Sequence, residues 1–170
     1  MRTGCFMKKR YTGFTLVELM IVIAIISILA ALSLPVVNRA IASGRESQAA
    51  SEVTALASAL RAYFNAYSVW PNAFTGSGDD GIQVAADVVR ILAGENVNDQ
   101  NRRRITFMEF PEAALNDQRF NDPWQQPYRF RVDENYDNTV TVDVGGAITL
   151  QQRVAVWSLG PEDRDPITSW

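Results

Sequence analysis

Few side chains in this chain can do chemistry, and those that can fall in three places. The sequence has no His, one Cys (Cys5) and two Lys (Lys8 and Lys9), all three close to its start. Carboxylates are therefore the main resource. Glu18 stands alone as the only charged residue in the apolar stretch 14–37. Glu162, Asp163 and Asp165 crowd the segment 158–165, SLGPEDRD, and Asp133, Asn135 and Asp137 alternate in 133–138, DENYDN. A carboxylate inside an apolar span costs about 2.5 to 3.5 kcal/mol at the bilayer centre, less near an end, and usually has a counter-charge. Loops rich in oxygen donors suit a hard cation such as Ca2+. The 133–138 loop lacks a glycine at its sixth position and has Val144 where a closing bidentate Glu belongs, so it reads as a solvated turn. A carboxylate pair can hydrolyse a glycoside, but no spacing singles out one pair among 19 acidic residues. Beyond residue 9 there is no His, Lys or Cys, so the usual bases and the thiol and amine nucleophiles are missing there and the chain reads as a non-enzyme.

The element that must position Glu18 is the stretch itself. Phe14 to Val37 is 24 residues, which as a helix is about 36 Å long, enough to cross a hydrocarbon core of about 30 Å with some tilt. A cleaved secretory signal has a shorter apolar core followed by a small-x-small site, and this run is too long for that. Arg2, Lys8, Lys9 and Arg10 precede it. By the positive-inside bias they keep that end in the cytoplasm, so the rest of the chain is exported. Taken alone, Glu18 is equally compatible with a tolerated interfacial position, since it is only the fifth residue of the span.

The combination of Lys8, Lys9, Arg10, Gly13, the run Phe14-Thr15-Leu16-Val17-Glu18 and the apolar stretch through Leu34 resembles the start of the type IV pilin and pseudopilin superfamily. That resemblance implies cleavage by a prepilin peptidase between Gly13 and Phe14, and N-methylation of Phe14. It also implies that the Glu18 carboxylate neutralises the Phe14 ammonium of a neighbouring subunit, setting register in a filament because a misaligned copy leaves two uncompensated charges. Loss of residues 1–13 leaves 12 Arg, no Lys and 19 acidic residues, a formal charge of −7, with no thiol for a disulfide or a metal. Such acidity argues against a nucleic-acid partner, and Arg102-Arg103-Arg104 reads as a solvated loop or a set of intersubunit salt bridges.

Near the end of the span, Pro35 removes one helical hydrogen bond. Ala49, Val53, Leu56, Ala57, Leu60, Phe64 and Tyr67 then recur at helical spacing, an apolar stripe that the rest of the chain must cover. The helix is expected to stop near Val69-Trp70-Pro71, because a residue before proline is driven out of the helical region. Residues 72–81 form a glycine-containing connector. A second, shorter helix is expected over 82–93, ended by Gly94, then a polar loop over 96–104 and a short extended piece over 105–110. Alternation over 127–132, 139–144 and 153–159 predicts three antiparallel strands, with Gly145-Gly146 in a turn between them.

Two further stretches resemble the major pseudopilin of type II secretion systems: Asp122, Pro123, Trp124, Pro127 and Tyr128, and the run 156–160. Gln125 stands where that family usually has Gly, so the backbone there is expected to differ slightly. The resemblance also implies one Ca2+ held by Glu162, Asp163 and Asp165, in a loop shorter than the family's and without its following acidic extension. The absence of a Cys after residue 5 removes the disulfide-closed loop of many type IV pilins.

The fold expected is α+β and pilin-like, a long N-terminal α-helix packed on a small antiparallel β-sheet. Its parts are a cleaved basic leader (1–13), a transmembrane half-helix (14–37), an amphipathic half-helix (38–70) and a periplasmic globular domain (71–170). The implied function is that of a pseudopilin, a structural subunit polymerising with its own copies and other pseudopilins into a short periplasmic filament for export of folded proteins. Its implied partners are the prepilin peptidase, an inner-membrane assembly platform and the lipid bilayer, with no nucleic acid. The alternatives are a type IV pilin for adhesion, twitching or DNA uptake, and a membrane-tethered binding or hydrolytic module with an uncleaved anchor.

Overall fold

A computed structural model describes residues 13–76, 78, 80–161 and 164–170. The chain divides into two compact units, Met1–Ala42 and Ser43–Trp170, and the first helix, α1 (Leu16–Tyr67), contributes to both.

In the first unit, α1 is apolar and exposed all round, the surface expected of a helix that meets lipid rather than protein. Its polar side chains are satisfied within the helix. Ser27 Oγ donates to the Ile23 carbonyl at 2.7 Å and Ser33 Oγ to the Leu29 carbonyl at 2.8 Å. In hydrocarbon, where water cannot serve them, such back-bonding removes the cost of a bare hydroxyl.

In the second unit, α1 buries Ala49, Val53, Leu56, Ala57, Ala59, Leu60 and Tyr63. The expected stripe is present, but Phe64 and Tyr67 are only partly buried, and Tyr63 takes the deeper position. The helix ends at Tyr67 rather than at 69–71. Ser68 adopts a left-handed φ of 57°, which breaks the helix before Pro71 can. A short 3-10 turn, Asn72–Phe74, follows.

The sheet has four strands in the order β1-β2-β5-β6, all neighbours antiparallel: β1 (Ile82–Gln83), β2 (Arg129–Val132), β5 (Val154–Ser158) and β6 (Ile167–Thr168). Opposite residues on β2 and β5 include Phe130 with Val156 and Val132 with Val154. These inward pairs face the α1 stripe, and each large side chain so buried contributes about 1.5 to 3 kcal/mol. The strand β5 is buried on both faces. Its Ala155 and Trp157 pack under Val140 and Val142, from a separate two-stranded ribbon, β3 (Val140–Asp143) with β4 (Ala147–Leu150). This corrects the picture of one sheet with a single apolar face: the ribbon covers the back of β5.

Two expected elements are replaced. The helix foreseen over 82–93 splits, because Ile82–Gln83 pairs with β2 as an edge strand and the helix α2 is only Ala86–Leu92. Tertiary pairing overrides local periodicity here. The backbone at Gly81, just before β1, has φ 76° and lies so close to Trp157 that a Cβ would come within 2.2 Å of its ring. Residues 105–110 form no strand, and a helix unforeseen from the sequence, α3 (Glu112–Asp117), follows Pro111. Proline before the first turn supplies a fixed φ and no unpaired N–H.

Candidate functional site

Gly13, Phe14 and Thr15 precede the helix in non-helical backbone, and Phe14 is 79% exposed. The expected cleavage junction, Gly13-Phe14, lies in this non-helical, exposed stretch. The leader residues Arg2, Cys5, Lys8, Lys9 and Arg10 lie outside the described residues.

Thr15 and Glu18 close a reciprocal cap at the start of α1. The Thr15 amide and Thr15 Oγ1 donate to Glu18 Oε2 at 3.0 and 2.8 Å, and the Glu18 amide donates back to Thr15 Oγ1 at 3.2 Å. This is the capping box that Thr-x-x-Glu encodes. The spacing is legible at 15–18, yet the roles expected of Glu18 from sequence, a tolerated interfacial residue or a filament counter-charge, did not include this cap. Both donors use Oε2, and no described residue bonds Oε1. One chain therefore holds the carboxylate in place beside Phe14 and leaves an acceptor oxygen for a further cation.

The two acidic loops are arranged differently. Asp133 is buried, and its carboxylate folds back on its own loop: Oδ1 accepts from the Asp137 amide at 3.1 Å and Oδ2 from the Asn138 amide at 2.8 Å. Asp137 accepts from the hydroxyl and amide of Thr139, which hold its carboxyl below the usual carboxylate range. The loop 133–138 is thus a self-capped turn, as its missing glycine and missing Glu implied. In the segment 158–165, Glu162 and Asp163 lie outside the described residues. Asp165 is exposed, and the adjacent Arg164 is paired with Glu46 of α1. Among the described residues no group of three acidic side chains is placed to hold a metal.

Two buried polar residues organise the second unit: Asp122, singled out in sequence only as part of a stretch, and Asn101, which was not singled out. Asp122, 2% exposed, accepts at Oδ1 from the amides of Trp124 and Gln126, both at 2.9 Å, and at Oδ2 from Ser158 Oγ at 2.6 Å. Ser158 Oγ in turn accepts from the Gly160 amide. The Asp-Pro-Trp corner is therefore tied to the end of β5 through a carboxylate. Gln125 has φ 67°, the left-handed conformation that glycine favours, so the backbone is as a glycine would have it despite the different residue. Asn101, fully buried, accepts from the Tyr67 hydroxyl and the Ile105 amide and donates to the carbonyls of Ile91 and Ile105. It fixes the loop 96–105 to the end of α1. Within that loop Arg103 donates to the Ala66 carbonyl, and Arg102 approaches Asp99 at 3.7 Å, both as a solvated loop would place them.

Buried tyrosines complete the unit. The Tyr128 hydroxyl donates to the Glu52 carboxylate, and burial with that bond pushes its pKa above the ordinary tyrosine value. Tyr63 donates to the Gln100 carbonyl at 2.5 Å, and burial, aided by Tyr67, pushes its pKa up to about 12. Neither group is poised to exchange a proton near neutral pH.

Comparison with known proteins bears on the N-terminal part of the chain. The family model for the prokaryotic N-terminal methylation motif matches residues 8–34. A fimbrial protein, EcpC, of Eikenella corrodens is 43% identical over 65 residues, 38% of this chain and 42% of that protein. The type IV major pilin protein PilE of Neisseria gonorrhoeae is 42% identical over 66 residues, 39% of this chain and 40% of that one. The type IV major pilin protein PilA of Myxococcus xanthus is 45% identical over 65 residues, 38% of this chain and 29% of its own length. The chain thus spans about two fifths or less of the curated relatives it matches. No solved structure matches it. The matched methylation motif and the likeness to these pilins cover about two fifths of the chain, over which it is similar to the type IV pilin and pseudopilin superfamily, and its long helix packed on antiparallel strands is a pilin-like α+β fold.

Proposed function

We propose that this subunit is a pseudopilin of a type II secretion system. It is cut between Gly13 and Phe14, N-methylated at Phe14, stored in the inner membrane with its N-terminus cytoplasmic and its second unit periplasmic, and polymerised by an assembly platform. The observation that carries the polymerisation is the half-used Glu18 carboxylate. Cleavage creates an ammonium on Phe14, one residue ahead of Thr15, and a second subunit's Phe14 ammonium can meet Glu18 Oε1 while Oε2 keeps the Thr15 cap. In a low-dielectric bundle of spans, an unpaired charge is strongly destabilising, so only the register that pairs them persists. Support for the secretion role is the Asp122 to Tyr128 corner, the run 156–160 and the absence of a Cys beyond residue 5. The type IV pilin reading is favoured by one specific observation, that the relatives above are type IV pilins and a fimbrial protein.

Intact mass of the purified protein should show loss of residues 1–13 and gain of one methyl group. Glu18→Gln should insert in the membrane yet fail to form filaments, and normal filaments from that variant would overturn the pairing. Deleting the gene distinguishes the roles, since a pseudopilin's loss retains exoproteins inside the cell while a pilin's loss strips surface filaments. Ca2+ is part of the same proposal, with Glu162, Asp163 and Asp165 as its oxygen ligands. A chelator should then lower the melting temperature of a fragment beginning at Ser43, and an unchanged melt removes the ion from the account.

A further inference from the structure

The polymer proposed above needs contacts between exported units as well as between spans, and the second unit carries two exposed surfaces of opposite charge with no use in its own fold. The first is a groove of about 310 Å3 lined by Arg61, Phe64, Trp70, Asn138, Gln152 and Arg153. Arg153 lies 4.8 Å over the Phe64 ring and donates to Asn138 Oδ1, which holds its guanidinium at the rim. Arg61 is exposed and has no partner among the described residues, and Gln152 keeps a buried Nε2 with no hydrogen bond there. No carboxylate lines the groove, so two cations and an aromatic floor, the half-buried Phe64 ring, face one opening.

The second surface is α3 with the residue leading into it. Glu109, Glu112 and Asp117 are exposed with no partner among the described residues, against one neighbouring cation, Arg119. Leu115, 44% exposed, sits on the same helical face as Glu112, three residues on. The carboxylate of Glu112 suits the arginines of the groove, and the Leu115 side chain suits the half-buried Phe64 ring.

Position along α1 separates the two surfaces. Tyr128 bonds Glu52, stacks on Phe120 at 5.0 Å, and Phe120 meets Phe110 at 5.3 Å, and α3 is the chain between those two phenylalanines. The acidic surface therefore lies on the Glu52 flank of α1. Arg61 follows nine residues later, and at about 100° per residue that is half a turn away, on the opposite flank. A chain cannot close this contact on itself, and two copies cannot satisfy both surfaces by a two-fold axis. Opposite, complementary flanks make a heterologous contact that repeats from copy to copy.

We propose that the Arg61–Phe64–Arg153 groove receives α3 of a second copy of this chain, with Glu112 paired to the two arginines and Leu115 packed on the aromatic floor. The inference rests on the filament reading and adds a surface to it. The contact is exposed and weak in isolation, and it becomes effective once membrane anchoring raises the local concentration of copies.

The test uses the full-length chain in its own membrane, in a Cys5→Ser background, with Asn65→Cys at the groove and Asn116→Cys on the Glu112 face of α3. Mild oxidation should give a ladder of disulfide-linked multimers when both cysteines are present and at most dimers when either is alone. Arg61→Glu should reduce the ladder about tenfold, and Glu112→Arg added to it should restore the ladder, a rescue that a misfolded chain would not show. A ladder indifferent to Arg61→Glu, or not restored by the exchange, overturns the inference. Filaments visible by microscopy with no ladder overturn it too, while leaving the filament reading intact. Absence of both filaments and ladder overturns the two together.

Discussion

Removing the Asp122 carboxylate tests whether this buried side chain holds the end of β5. In Asp122→Ala the amides of Trp124 and Gln126 lose their acceptor, and the Ser158 hydroxyl loses the oxygen it donates to at 2.6 Å. Hydrogen bonds to a charged group contribute about 1.5 to 3 kcal/mol each, and orphaning a buried donor costs about 1 to 3 kcal/mol. The three losses share one residue and do not add, and the two amides are near enough to solvent to recruit water. A net cost of about 3 to 5 kcal/mol follows. For a unit of this size each kcal/mol lowers the melting temperature by about 3 to 5 °C, so a fall of about 10 to 20 °C is expected. Ser158→Ala breaks the Oδ2 link and also takes the acceptor from the Gly160 amide, and should cost about 2 to 4 kcal/mol. The decisive measurement is the double mutant in urea unfolding of the 43–170 fragment. If the carboxylate–hydroxyl link is real, the two costs should fall short of additivity by at least about 1 kcal/mol. Strictly additive losses would refute the pin between corner and strand.

Other outcomes follow from particular residues. Gly81→Ala would set a Cβ 2.2 Å from the Trp157 ring at a left-handed φ, so overpacking and backbone strain together should cost about 2 to 5 kcal/mol in the same unfolding assay. Gln125→Gly should stabilise by up to about 1 kcal/mol, because it relieves a left-handed φ at 67° and the Gln125 side chain makes no hydrogen bond among the described residues. Stability should fall in alkali: Tyr63 and Tyr128 keep their protons in the folded state beyond the ordinary tyrosine value of 10, so above about pH 10 the unfolded chain has lost protons that the folded one retains. That loss should set in near pH 10 and continue through pH 12 for Tyr63, and Tyr63→Phe should flatten the slope of unfolding free energy against pH over that interval.

The parts of the molecule legible in sequence are those with strong local signals. A 24-residue stretch carrying one charge can be read as a span without knowing its neighbours, and the helical recurrence of Val53, Leu56, Leu60 and their companions fixes which face of α1 needs cover. The strands β2, β3 and β5 were visible as alternation or apolar runs. Less visible was the fate of Ile82: its periodicity continues into α2, but pairing with Phe130 takes it into the sheet. Likewise β6 and α3 are two and six residues long, too short to show a period.

At the proposed assembly site the sequence by itself determined the ingredients: a junction at Gly13-Phe14, a Glu five residues into the span, and a Thr three residues before it. Their cap needs only the first helical turn, since Thr15 and Glu18 are local partners. Only the tertiary structure decided where the long-range polar groups go. Asp122 meets Ser158 across 36 residues and Tyr128 meets Glu52 across 76, distances over which a sequence pattern carries no geometry. The same holds for the groove, whose arginines come from α1 and from the start of β5, and for the acidic α3 set on the far flank. Charge and exposure there depend on which faces the core has already claimed, and that is settled by packing.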